Sequence, residues 1–191
     1  AIIYLHWGEE HVFFPPYEDI ELVKKLLEHK KVALVIGSHA HRIQGIISHN
    51  GKFAYMCLGN FLFPNFYISS PTQINYPPKN ITTNYSTRLY HKVYKLTYKK
   101  WKWINRASLI LQYDTSSKKI IHEVVFQNDN EPKIVQSNLF QSFYVTILVK
   151  ALSLMYKLPY CLYKPLQILN SFLSKIYFNV YVSIFYINQY F

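Results

Sequence analysis

The chain has 191 residues, of which half are hydrophobic, 18% aromatic and only 16% charged. That is enough apolar material for a sizeable core. Its two cysteines, Cys57 and Cys161, stand far apart with no CxxC pair, which excludes a zinc knuckle and a dithiol redox motif. The formal charge of +11 admits nucleic acid, anionic lipid or a phosphate-bearing substrate as partner, and no accompanying motif supports nucleic acid.

The opening run "AIIYL" reads as a buried strand. "HWGEEHVFFPPYED" follows as a loop, since Pro15 and Pro16 block a helix there. In "EDIELVKKLLEHKK", Ile20, Val23, Leu26 and Leu27 fall at helical spacing, and Asp19 is the expected N-cap. "KVALVIG" is a second buried strand, and Gly37 is expected to let the backbone turn sharply and approach a ligand. This is a βαβ-like unit. Both histidine-bearing loops follow the carboxyl ends of its strands, where ligands bind in open α/β sheets.

"RIQGIISHNGKFAYMCLGNFLF" predicts a hairpin about the Asn-Gly turn of "HNGK". From Pro64 to about Asn84 the composition is Pro-, Asn-, Ser- and Thr-rich without a period, which predicts a long loop. "YHKVYKLTYKKWKW", residues 90–103, interleaves lysines with aromatics and reads as a solvated basic face. "RASLILQYD" and "KKIIHEVVFQN" flank "TSS" as a second hairpin. The tail is apolar and aromatic, interrupted by Lys150, Lys157, Lys164 and Lys175. It predicts a pair of helices packed on the rest of a larger protein, or a helix lying on or in a membrane. The organisation expected is therefore 1–63 as an α/β unit, 64–85 as linker, 86–136 as a β-rich extension and 137–191 as a helical tail. No signal peptide is visible, and a strand at the first residue predicts that an N-terminal portion is missing.

The chemistry sits in His6, His39 and His41. Imidazole is the commonest protein ligand for borderline transition metals. In H-x-H on an extended turn, side chains i and i+2 point the same way, so His39 and His41 can share one site or straddle two ions. His11, His29, His49, His91 and His122 each stand alone, and no function is assigned to them.

"HWGEE", a helix, "ALVIGSHAHRIQG" and "GKFAYMCLGNFLF", in that order and spacing, resemble the C-terminal half of the CapA family. These are poly-γ-glutamate capsule-synthesis-type proteins of the calcineurin-like metallophosphatase superfamily. The family pattern runs HWG-x-E, a helix, DVVIGSHPHV-x-Q, GKP and YSLGNF, and the resemblance covers residues 1–63. Departures are Ala40 for the usual Pro, Arg42 for an apolar residue, Ala33 and Leu34 for Asp-Val, and "YMCL" for YSL.

The resemblance implies a partial metallophosphoesterase-like α/β sandwich, here with a β-hairpin extension and a hydrophobic helical tail. It implies two divalent ions, Mn, Fe or Zn, in the intact domain. His6 and His39 would bind one ion and His41 the other. Glu9, taken as the glutamate after HWG, would contact substrate, Trp7 would shape the pocket wall, and Asn60 would fix a turn. The superfamily's D-x-H, GD and GN-H motifs lie upstream of the HWG strand and have no counterpart here, so the resemblance implies a truncated chain. The implied function is metal-dependent phosphoester chemistry on a phosphoester or polyanionic surface polymer in capsule assembly. The alternatives are a non-catalytic component of a membrane-bound polymer synthase and an inactive remnant. A membrane or cell-envelope location is expected.

Overall fold

The computed structural model describes residues 1–63, 101–128 and 130–177 in full, and between and beyond them the backbone of four strands and of a helix to residue 187. In chain order the elements are β1 (Ile2–His6), α1 (Tyr17–Glu28), β2 (Leu34–Ser38), β3 (Ile46–His49) and β4 (Lys52–Tyr55). Then follow β5 (Asn65–Ile68), β6 (Thr72–Tyr76), β7 (Ser86–Tyr90), β8 (Val93–Thr97) and the short α2 (Trp103–Arg106). The chain closes with β9 (Ala107–Tyr113), β10 (Ile120–Gln127), β11 (Ile134–Gln136), α3 (Leu139–Met155) and α4 (Tyr160–Ile187). The fold is mixed α/β, as the sequence predicts.

The central sheet has the order β1-β2-β4-β3, with β1, β2 and β4 parallel and β3 antiparallel. Alternation along each strand sends neighbouring residues to opposite faces. Val35 and Ala54 join Ile20, Val23 and Leu27 of α1 in one core, while Leu34 and Tyr55 join Ala107, Leu109 and Phe126 of the β9–β10 pair in another. Both faces of β2 are thus covered, which is why "ALVI" reads as a continuous apolar run rather than an alternating one. The second sheet, β11-β10-β9, is antiparallel throughout. The Asn-Gly hairpin forms as expected: Ile46 pairs with Tyr55 and His49 with Lys52, and Asn50 and Gly51 both take positive φ, as a tight two-residue turn requires.

Three expectations are corrected. Helix α1 begins at Tyr17 with Pro16 in the N-cap position and no side-chain cap bond, so Asp19 is not the N-cap. The fixed φ of proline pre-organises a helix start one turn earlier than the polar residue suggests. Asp19 lies in the first turn instead, and burial, with Glu18 beside it, pushes its carboxyl above the usual range. Secondly, residues 64–84 are not one loop, because β5 and β6 lie within them, paired with β8 and β7. "FYI" and "TQINY" carry β-branched and aromatic residues, and long-range pairing outweighs their polar surroundings. The rest of that segment, and the side chains of the basic stretch from residue 90 to 100, lie outside the described residues.

The third correction concerns Gly37. It does not turn the chain toward a ligand; it sits within β2. A Cβ there would lie 2.1 Å from the Met56 carbonyl oxygen and 2.4 Å from the Trp7 indole nitrogen. Since Trp7 Nε1 donates to that same carbonyl at 3.2 Å, no room is left for a methyl group. Gly37→Ala is expected to destabilise the fold by about 3 kcal/mol, read as a lower urea midpoint with an unchanged slope.

The tail forms two helices, and they clasp the loop that joins β1 to α1. The Tyr156 and Tyr163 hydroxyls donate to the Phe13 and Pro15 carbonyls. Asn170 Oδ1 accepts from the Phe13 and Phe14 amides at 2.8 and 3.3 Å. Ser174 Oγ donates to the His11 carbonyl at 2.8 Å. A proline-rich loop has no ladder of its own to satisfy its backbone groups, and these side chains supply the partners.

Candidate metal centre

The parallel register of β1 and β2 sets His6 opposite Ser38. His39 therefore follows immediately beside His6, and their ring centroids are 4.4 Å apart. His39 and His41 are 6.2 Å apart by the same measure, and His41 lies 5.4 Å from His11. The three imidazoles singled out from the sequence are brought together at the carboxyl edge of the sheet, with His39 between the other two.

The H-x-H segment is not extended. His39 has φ 95° and His41 φ 54°, and His11 across from them has φ 60°. Left-handed backbone at a residue with a Cβ costs on the order of 1–3 kcal/mol. What holds it is tertiary: Ala40 is 2% exposed between the two histidines, and its carbonyl accepts from the His11 amide at 2.8 Å. The side chains converge because the backbone curls, and not through the i, i+2 alternation of a strand.

Hydrogen bonds fix which ring nitrogens remain open. Ser38 Oγ donates to the Leu5 carbonyl at 3.1 Å and lies 3.2 Å from His6 Nδ1. With its proton committed, the hydroxyl accepts from Nδ1–H, so His6 Nε2 keeps a free lone pair. His41 repeats the pattern. Asn60 Nδ2 donates to the Asn105 carbonyl at 3.2 Å, which orients the amide, and Asn60 Oδ1 lies 2.6 Å from His41 Nδ1. His41 Nε2 is then the open nitrogen. Asn60 is more than a turn residue: it is the group that sets the tautomer of His41.

A carboxylate completes the group, and it is Glu10 rather than Glu9. One ligand atom from each of Glu10, His39 and His41 lies within 4.8 Å of the other two, and Glu10 Oε1 is 3.8 Å from His41 Nε2. The H-W-G-x-E spacing itself puts the glutamate at position 10, so the signal was available in the sequence. Glu9 turns the other way and accepts from Ser171 Oγ of α4 at 2.8 Å. Both glutamates border a cavity of about 630 Å³ with His11, Ser174 and Lys175. Trp7 is not among the residues lining it; its indole packs on the α1-side core.

Sequence reasoning missed three further participants. His11 stacks beside His41, Asn105 Nδ2 lies 3.2 Å from His11 Nδ1 and donates to the His41 carbonyl at 3.1 Å, and α4 supplies the far wall of the cavity. Asn105 and α4 have no local signature, because they act from a distant part of the chain, whereas His11 lies in the same loop as Glu10 and looks there like a lone histidine.

The donor set of imidazoles with one carboxylate suits a borderline divalent ion such as Zn, Mn or Fe. Searches of curated proteins and of solved structures give no match for this chain. Residues 1–65, which carry the β1 and β2 loops and all four of these ligand-type side chains, match the family model described as bacterial capsule synthesis protein PGA_cap, a similarity that supports a protein related to capsule synthesis.

Proposed function

We propose that this chain takes part in capsule or surface-polymer synthesis through a metal-dependent centre acting on a phosphoester or a polyanionic polymer. The observation that carries the reading is the pair of histidines, His6 and His41, whose Nδ1 atoms are committed to Ser38 and Asn60. Their Nε2 atoms are left open beside His39, and Glu10 stands next to His41. Imidazoles held in one tautomer at a strand edge are pre-organised ligands; His41 is half-buried and His6 stands exposed.

Glu10, His39 and His41 would hold one divalent ion, with His6 adjacent on the β1 side. When bound, such an ion supplies Lewis-acid polarisation of a phosphoryl or carbonyl oxygen. The protein's own contribution is orientation. Asn60 and Ser38 hold the rings, and the Ala40 carbonyl pins the His11 loop across the site. The cavity beside Glu9 and Glu10 offers Lys175 for an anionic group of the substrate.

Equilibrium dialysis against Mn or Zn followed by elemental analysis tests the reading. About one equivalent of metal per folded chain is expected, removable by chelator. Folded protein that retains no metal at any tested concentration would sink it. Asn60→Ala is expected to weaken metal binding by roughly 10–100-fold while leaving all ligands in place, measured by titration with a competing chelator dye.

A further inference from the structure

Helix α4 is built with its polarity reversed. A helix on the surface of a soluble protein turns its apolar stripe inward. Here the inward stripe is Tyr163, Gln167, Asn170 and Ser174, at spacings of four, three and four. Three of these side chains are tied to the β1–α1 loop by the hydrogen bonds described above. The outward side carries Leu162, Leu169, Phe172, Leu173 and Ile176, each between 44% and 59% exposed.

Helix α3 is apolar on both sides. Val145, Val149, Leu152 and Tyr156 are buried, and opposite them Phe140, Phe143, Ile147 and Leu154 are between 49% and 72% exposed. Large exposed apolar surface on two successive helices marks an interaction face.

The charge pattern says what kind of surface covers it. No aspartate or glutamate follows Glu131; α3 carries Lys150, α4 carries Lys164 and Lys175, and Lys157 stands in the turn between them. Lys164 reaches Glu18 at 3.9 Å; Lys150, Lys157 and Lys175 are exposed. At helical spacing Lys150 and Lys175 fall to the side of the apolar strips, where a long side chain can extend away from them, and Lys157 is exposed in the turn that joins the two helices. A second copy of the chain would bring like charges against like charges. An anionic bilayer offers acyl depth for the apolar strip and diffuse negative charge for the lysines. Among the described residues no helix is long and apolar enough to cross a membrane, so the helices would lie in the plane of the interface.

We propose that the outward faces of α3 and α4 seat this protein in the headgroup–acyl boundary of an anionic membrane. The inward, polar face of α4 then serves the cavity, and its outward face the lipid. This inference is independent of any metal at the histidines.

The test is flotation of the full chain with phosphatidylcholine vesicles, with and without phosphatidylglycerol. Flotation is expected only with the anionic lipid, and it should fall as salt is raised. A lysine near the surface contributes about fivefold to partitioning, so Lys150→Gln with Lys157→Gln should lower it about 25-fold. Phe143→Ser with Phe172→Ser should abolish it. All four positions are exposed, and an unchanged far-ultraviolet spectrum and melting temperature will show that the variants fold. Failure to float with either vesicle overturns the proposal. So does flotation that is equal on neutral lipid and indifferent to the lysine changes. A stable dimer in solution that Phe143→Ser with Phe172→Ser dissociates, with no vesicle binding, would assign the face to a second copy and equally defeat it.

Discussion

Replacing His41 by alanine is expected to reduce bound divalent metal to background, a loss larger than the roughly 10–100-fold of an outer-shell change. His41 is the ring that meets both Glu10, at 3.8 Å, and the orienting amide of Asn60, at 2.6 Å. Its removal takes away one of three candidate ligands and leaves Asn60 Oδ1 without that contact. The backbone complicates the reading, since His41 has φ 54° and alanine tolerates that conformation poorly. His41→Asn answers this, because asparagine is at ease in the left-handed region. It should lose metal as alanine does while keeping the melting temperature. His49→Ala, at the far end of the sheet beside Glu28, should leave metal content unchanged. Retention of full metal by His41→Ala would show that the imidazole cluster is packing and not a binding site.

Tyr156→Ala is expected to cost about 3–5 kcal/mol of folding stability, the range for truncating a large buried aromatic. Against the 5–15 kcal/mol typical of a whole domain, that is enough to unfold much of the population at 37 °C. Tyr156 is 2% exposed and packs with Val23, Leu27, Val35 and Tyr163 in the core beneath the sheet. Its hydroxyl donates to the Phe13 carbonyl and accepts from the Gly45 amide at 3.1 Å. Burial pushes the phenol far above its usual range, so it remains a neutral donor at any working pH. Tyr156→Phe keeps the packing and deletes only these two bonds. It should cost about 1–3 kcal/mol, because two buried backbone groups lose their partner. Urea denaturation of both variants measures the difference. If the alanine variant is as stable as the parent, the tail helices do not belong to the folded unit.

Much of residues 1–63 was legible because its signals are local. "VALVI" is an apolar run whose two-sided burial follows from parallel pairing, whereas "AIIYL", expected to be buried, forms the edge strand of the sheet and leaves Ile2 51% and Tyr4 66% exposed. Ile20, Val23 and Leu27 repeat at the helical period and are all fully buried. Asn50-Gly51 specifies its own turn. The histidines could be placed at the strand ends, since the strands were placed. The misreadings share another origin. Asp19 was chosen for its side chain, whereas Pro16 sets the helix start through its ring. The H-W-G-x-E spacing falls on Glu10, not Glu9, and the side-chain directions agree, since Glu10 faces His41 and Glu9 faces Ser171. Strand β5 pairs with residues 25 to 32 positions away and β6 with residues 10 to 18 away, and the composition of the segment itself does not show those partners.

By itself the sequence determined the βαβ-like frame and the strand ends at which the three imidazoles are found, because hydrophobic period and turn chemistry act over a few residues. The tertiary structure alone decided two other things: which ring nitrogens stay open and which side of α4 faces the protein. Those outcomes depend on Ser38, Asn60, Asn170 and Ser174 meeting groups brought from distant parts of the chain. A hydrogen bond between residues more than a hundred positions apart leaves no trace in either local pattern. It exists only once packing has set the distance.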